Sequence, residues 1–258
     1  MLPNLPKIIG LTKVRNESAI IIDTLNNWRR FCTGGIYVYD DCSEDKTADI
    51  CRNHPAVTEV IQGAFWDPDR EKAEWQNRQA LLTRAQQEVG MDEKVWFVYF
   101  DADEHLYNFS DYELFANSDV KAIACRLYDV YITPEDAGKN YKEREWIGPE
   151  FRTIVFFFRN SQYLSYDTPD QRIVNLEAGI QIPIHGDIKH YGKGFSAEAW
   201  EKTCDYYIQW WPKYADKWRK RKGKAVHKDY LSDFGNRLIQ WKDRHAGFSL
   251  ENKPYGKN

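Results

Sequence analysis

Six consecutive apolar residues, Val95–Phe100 (VWFVYF), run directly into Asp101-Ala102-Asp103-Glu104. So short and uniformly apolar a run suits a strand buried on both faces, as central parallel strands are. It is the fourth strand of an alternating series, after Lys7–Leu11 (KIIGL), Ile36–Tyr39 (IYVY) and Val57–Ile61. Between the first two, Ile21, Ile22, Leu25 and Trp28 recur at helical spacings of three and four. Asn16 or Ser18 is placed to cap that helix, and Ser43 to cap a short one running through Cys51. Glu71–Glu88 reads as a long helix closed by Gly90, with Trp75, Leu82 and Val89 seven apart. Such alternation predicts an α/β fold: a mostly parallel sheet flanked by helices.

In sheets of this kind ligands bind beyond the carboxyl ends of the strands. This chain places polar residues there: Thr12–Glu17, Asp40-Asp41 and Asp101–Glu104. Neither a GxGxxG nor a GxxxxGK[ST] loop is present, which disfavours a standard dinucleotide fold and a P-loop.

The second half is less regular. Ala122–Ile132 and Arg152–Phe158 read as strands, separated by a charged, flexible segment, Thr133–Glu150. Asp167–Arg172 (DTPDQR) is a polar turn, and Ile180–Ile184 and Ile188–His190 read as two short strands. Ser196 is placed to cap a helix running to about Trp211. Lys213–Lys228 carries eight Lys or Arg against one acid, Asp216, and reads as a solvated helix face or a surface for an anionic partner. Tyr230–Trp241 is expected to form a last helix and Gly247–Asn258 a loose tail. The expected division is a first half of the domain at 1–110, a second half at 111–212, and a basic helical C-terminal extension at 213–258.

Composition narrows the function classes. With 36 Lys and Arg against 39 Asp and Glu the net charge is −3, which argues against a bulk nucleic-acid coat and leaves a local groove open. No apolar run approaches the ~18 residues of a membrane span, and the first residues, MLPNLPKIIG, lack the pattern of a signal peptide. The five cysteines are scattered and form no CxxC pair, so reduced thiols in a cytoplasmic compartment are expected. Aromatic residues make up 15% of the chain, including 10 Trp; a large aromatic core is expected ahead of a sugar-stacking surface.

Asp101 and Asp103 lie at i and i+2, so in extended chain both carboxylates project to one side. Such a pair can hold a hard divalent cation whose other positions are left to phosphate oxygens and water. The plainer reading is a charged turn, but its place at the end of an apolar central strand favours the cation. Asp40 and Asp41 can accept hydrogen bonds from a ribose or a base, or cap the next helix.

Taken together these segments resemble the GT-A glycosyltransferases, in particular the family 2-like group. The resemblance runs through KIIGLTKVRNE (7–17), YVYDDCSEDKT (37–47), Asn77 and Arg78, and VYFDADEHL (98–106), and more weakly to about residue 210 through HYGKGFS (190–196). It implies a GT-A fold and metal-dependent transfer of a sugar from a nucleotide-diphosphate sugar, UDP- or GDP-linked, to an acceptor hydroxyl. By analogy Thr12, Arg15 and Glu17 would line the nucleotide pocket, Asp40 or Asp41 would contact base or ribose, and Arg78 would approach base or diphosphate. Asp101 would contact ribose or metal-bound water, Asp103 would bind Mn²⁺ or Mg²⁺, and His190 would be a further ligand. Acceptors would be a glycan, glycolipid or protein, with a nucleic-acid acceptor unsupported.

Inversion by single displacement needs a general base facing the departing diphosphate, a group typically contributing roughly 10²–10⁴ in rate. Asp170 in the DTPDQR turn is the first candidate, with Glu145 and Glu150 behind it. Two other classes compete: a catalytically inactive nucleotide- or carbohydrate-binding protein, disfavoured by the intact carboxylate set, and a metal-dependent nucleotidyltransferase, which usually needs a glycine-rich loop after strand one.

Overall fold

The computed structural model describes residues 6–169 and 171–250. The elements in chain order are β1 (Ile8–Val14), α1 (Ile21–Trp28), β2 (Ile36–Asp40), α2 (Thr47–Asn53), β3 (Val57–Gln62), α3 (Arg70–Val89), β4 (Trp96–Tyr99) and β5 (Glu104–Tyr107). They continue with β6 (Ala122–Val130), β7 (Trp146–Arg159), β8 (Ile184–His190), α4 (Ala197–Trp210), α5 (Ala215–Arg221), β9 (Ile239–Gln240) and β10 (Phe248–Ser249). The strand order is β3-β2-β1-β4-β7-β6-β8-β5, with β9 and β10 added on β7. The expected α/β architecture, a largely parallel sheet flanked by helices, is what the chain forms. No described helix is long and apolar enough to cross a membrane.

The chain forms two compact units. The first comprises residues up to Cys125 together with Ile154–Gly186. Here β3, β2, β1 and β4 run parallel, and β4 pairs antiparallel with the end of β7 through Phe97↔Phe158. Every residue of β4 is buried, as its unbroken apolar sequence requires. Phe97 and Tyr99 meet Leu81, Leu82 and Ala85 of α3, with Trp75 and Val89 at the edge of the same cluster. Elsewhere in the unit Trp28 of α1 stacks on Phe100 at 4.7 Å and 9°, beside Phe156 and Phe157. Burying each such ring contributes about 1.5–3 kcal/mol, so the aromatic content serves the core as expected. Asp69 caps α3 by accepting the Lys72 N–H, and Gly90 closes it at φ 64°, a conformation natural to glycine.

The second unit comprises Arg126–Thr153 together with the residues from Asp187 on. Here β9 and β10 pair with β7, antiparallel and parallel respectively. Ser196 caps α4 as expected, its Oγ accepting the Ala199 N–H at 3.0 Å. All five cysteines in the chain are free thiols, four of them buried.

Several local expectations are corrected. Neither Asn16 nor Ser18 caps α1, whose cap position is Ile20 with no side-chain bond. Asn16 sits at φ 55° and its Oδ1 accepts the Glu44 N–H, while the Ser18 N–H reaches Asp45. Ser43 likewise does not cap α2; its Oγ accepts the Asn16 N–H. These side chains tie the loop after β1 to the loop after β2. The segment Thr133–Glu150 is not a loose linker: β7 begins at Trp146, and Glu150 is 4% exposed. Of the two short strands expected at 180–190, the first is not formed, since residues 180–183 are irregular, and the second is the longer β8 (Ile184–His190), which passes through Gly186 at φ 88°. Tyr230–Trp241 is not helical. Asp233-Phe234-Gly235-Asn236 is a turn, with Gly235 at φ 80° and Leu231 bridged antiparallel to Arg237. Of the expected tail, Phe248–Ser249 form β10 and residues 251–258 lie outside the described residues.

Candidate functional site

Within the first unit the carboxyl ends of β1, β2 and β4 converge on one group of charged side chains. The Asp101–Glu104 turn is held from below by α1. Thr24 Oγ1 donates to the Ala102 carbonyl and lies 3.0 Å from His105 Nε2, and the Trp28 indole donates to the Glu104 carbonyl at 2.7 Å. Glu104 is buried and turned back on the chain, its Oε2 accepting the Asp101 N–H at 2.8 Å. That leaves Asp101 and Asp103 as the partly exposed carboxylates of the turn.

Arg172, from the polar turn after β7, binds this motif. Its Nη2 donates to Glu104 Oε2 at 2.7 Å and its Nε lies 3.2 Å from Asp101 Oδ2. The guanidinium lies 4.7 Å from the Tyr99 ring centre and 5.4 Å from that of Phe156. Although burial alone would favour loss of its proton, Asp101 and Glu104 raise its pKa further. Its buried Nη1 has no hydrogen-bond partner among the described residues, and the same holds for Thr12 Oγ1 and the Tyr166 hydroxyl. Unsatisfied buried groups of this kind cost about 1–3 kcal/mol each and call for an explanation, such as a ligand.

A second network lies on α3. Arg70, Glu74 and Arg78 are four apart and so form one stripe of the helix. Glu74 receives Lys13 Nζ at 2.6 Å and Arg78 Nη2 at 3.1 Å, while Arg70 pairs with Asp41. Burial would raise the Glu74 carboxyl, but Lys13 and Arg78 bring it down to about 2. Arg78 also donates from Nε to the Tyr99 hydroxyl at 3.0 Å and from Nη1 to the Gln171 carbonyl at 2.8 Å. Arg78 thus holds Gln171, and Arg172 itself lies, at the Tyr99 end of β4.

Glu17, in the loop after β1, behaves oppositely. Burial, then Asp103, then Asp101 push its carboxyl up to about 8. Three carboxylates therefore share one electrostatic neighbourhood. Among the described residues, however, no three acidic, histidine or cysteine side chains gather closely enough to enclose a metal ion.

The remaining expected residues divide clearly. Thr12 is fully buried on β1. Arg15 is held by the carbonyls of Asp41 and Cys42 at 2.7 and 2.6 Å and lies over Trp66. Asp40 is fully buried, its Oδ2 accepting the Ser43 N–H at 3.1 Å. Asp170 lies outside the described residues. His190, Glu145 and Glu150 belong to the second unit. There His190 Nδ1 lies 2.6 Å from Asp129 Oδ1. Glu145 pairs with Lys189 at 3.3 Å, and Glu150 accepts from Asn236 at 3.3 Å. Sequence reasoning missed Arg172, Lys13, Arg70 and Glu74. The four-residue spacing on α3 was a readable signal; nothing in the sequence marked Arg172 beyond its place next to a candidate base.

A hollow of about 530 Å³ along α3, lined by Trp75, Gln79 and Thr83 among others, has Arg84 as its only charged residue and does not include this group.

No family model matches the chain. Uncharacterized proteins of Mycobacterium bovis and Mycobacterium tuberculosis are each 38% identical to it over 69 residues, 27% of this chain. The matched segment is 16% of the length of those proteins. Among solved structures, residues 1–349 of S. aureus TarS in complex with UDP align over 83% of this chain and 71% of that one, at 14% identity and a TM-score of 0.42. Glucosyl-3-phosphoglycerate synthase from Mycobacterium tuberculosis, solved with Mn²⁺, UDP and glucosyl-3-phosphoglycerate, aligns over 47% and 44%, at 18% identity and a TM-score of 0.31. A further mycobacterial protein aligns over 91% and 83%, at 11% identity and a TM-score of 0.38.

Proposed function

We propose that the protein is a glycosyltransferase of the GT-A type, moving a sugar from a UDP- or GDP-linked donor to an acceptor hydroxyl with inversion. The observation that carries this reading is the partly exposed Asp101/Asp103 pair at the end of β4, whose charges add to burial in raising the carboxyl of Glu17 in the loop after β1. Clustered carboxylates of this strength favour a bound cation. A Mg²⁺- or Mn²⁺-type ion keeps water and phosphate oxygens and needs only one or two protein carboxylates. Asp103 would hold the ion directly, with Asp101 anchored beside it by Arg172. When bound, the ion would supply Lewis-acid stabilisation of the departing diphosphate.

The chain's own cations would do the rest. Lys13, Arg70 and Arg78 pair with Asp41 and Glu74 in one network beside the carboxylate turn. These cations and the Arg172 Nη1 donor suit a diphosphate. Thr12 and Asp40, each with a buried oxygen that has no hydrogen-bond partner among the described residues, suit the nucleoside hydroxyls or base. Asp170 is proposed as the base that takes the proton of the acceptor hydroxyl. Its neighbours Gln171 and Arg172 are bound to Arg78 and to the Asp101–Glu104 turn. Glu145 and Glu150 remain as alternatives for the base, and His190 as a further ligand.

The test is a thermal-shift series with UDP, GDP and their sugars, each with Mn²⁺ and with chelator, followed by product analysis. A metal-dependent rise in melting temperature with one nucleotide family supports the reading by mass action. Released nucleoside diphosphate identifies glycosyl transfer. Pyrophosphate would instead identify a nucleotidyltransferase, and binding without turnover an inactive binder.

A further inference from the structure

In the second unit α4 and α5 form a helical hairpin joined by the short turn Pro212–Tyr214. Trp200 and Cys204 of α4 form its core with Ala225, and Trp218 of α5 packs there, its ring centre 5.4 Å from that of Trp200. Six aromatic residues fall within the thirteen positions from Tyr206 to Trp218. Toward the turn their rings make a continuous row. Tyr206 meets Tyr207 at 5.5 Å, Tyr207 meets Trp211 at 5.8 Å, and Trp211 meets Tyr214 at 6.1 Å. Trp211 is buried, whereas Tyr206, Tyr207, Trp210 and Tyr214 are half-buried.

The cations of the basic run divide in two. Arg219 pairs with Asp216, Lys222 with Asp205, and Arg221 turns to Asp233 at 2.8 Å. Lys213, Lys217 and Lys220 are exposed and follow one another at intervals of four and three, the spacing of neighbours on one side of a helix. The first two converge on one ring: Lys213 Nζ lies 5.0 Å and Lys217 Nζ 5.9 Å from the centre of Tyr214. The row of lysines and the row of rings therefore meet at the turn.

Exposed lysines beside half-buried Trp and Tyr rings suit the headgroup layer of a bilayer. The rings take the amphipathic boundary, and the long lysine stems lie along them with the ammonium groups in water. A single-stranded nucleic acid would need open ring faces on which to stack its bases. Here Tyr207 and Trp218 cover one another, 4.3 Å apart with 7° between their planes, and the Tyr214 ring is overlain by lysines. The observations favour lipid.

We propose that the tip of this hairpin docks reversibly on a membrane surface rich in anionic phospholipid. Tyr206, Trp210 and Tyr214 supply the amphipathic rings, and Lys213, Lys217 and Lys220 the charge. The two signals are modest singly and act together. The whole chain has a net charge of −3, so attraction to an anionic surface is local to this tip. The assignment does not depend on the donor site proposed for the first unit.

The experiment is flotation of the full chain with vesicles of phosphatidylcholine alone and of phosphatidylcholine mixed with phosphatidylglycerol. Flotation is expected with the mixed vesicles only. It should be lost on going from about 0.1 M to about 1 M salt, where the screening length shrinks from about 10 Å to about 3 Å. Each lysine near an anionic surface contributes about fivefold in affinity, so Lys217→Gln with Lys220→Gln should weaken binding about 25-fold at unchanged melting temperature. Tyr214→Ala should weaken it several-fold with the salt dependence retained. Asp103→Ala should float as the parent does, so failure of the donor reading is distinguishable. No flotation, equal flotation with neutral vesicles, unaltered flotation of the double lysine variant, or preference for a single-stranded oligonucleotide over the mixed vesicles would each overturn the proposal.

Discussion

Arg172 Nε lies 3.2 Å from Asp101 Oδ2, so the first carboxylate of the Asp101–Glu104 turn is paired with a guanidinium that also binds Glu104. One planar group spans both ends of the turn and rests on Tyr99. Lysine has neither the fork nor the flat face for this. Arg172→Lys is therefore expected to lower kcat/KM by about tenfold to a hundredfold while the fold persists, and Arg172→Gln to lower it further. Equal kcat/KM in Arg172→Lys and the parent would remove the positioning role.

Asp103→Ala is expected to abolish transfer and to erase the Mn²⁺-dependent part of the nucleotide-induced rise in melting temperature. Unchanged turnover would remove Asp103 from the metal site.

Glu17 gives a pH signature. Its folded-state pKa, about 8, lies above its ordinary value of 4.5. Between these values the folded chain holds a proton that the unfolded chain has lost, so stability falls as pH rises from about 4.5 to about 8. Glu17→Gln should flatten that part of a melting-temperature profile and be relatively more stable at the alkaline end. Mn²⁺ should raise the parent's melting temperature near pH 8 more than the variant's. A parent profile identical to that of the variant would contradict the clustering of Glu17 with Asp103 and Asp101.

Asp170→Asn should retain nucleotide and metal binding and lose roughly 10²–10⁴ in rate, the usual contribution of a general base. A fall of less than about tenfold would pass the role to Glu145 or Glu150, tested by the same substitution to glutamine.

What the sequence alone determined is the order of the elements in the first hundred residues and the edge of the sheet where chemistry can sit. Val95–Phe100 could only be a strand covered on both sides, and a parallel strand so covered delivers Asp101 and Asp103 to the carboxyl edge. Local rules also sufficed for Ser196, because capping involves only residues three apart. They failed for Asn16, Ser18 and Ser43, whose polar side chains bond to a neighbouring loop instead of to their own helix. They failed again at Asp233-Phe234-Gly235-Asn236, where a helix was expected and turn chemistry prevailed. The pairing of Arg172 with Asp101, of Arg70 with Asp41 and of Lys193 with two aspartates was decided only in three dimensions. A charged residue's sequence neighbours give its local propensity. Which opposite charge it meets after burial depends on strands and turns brought together from distant parts of the chain.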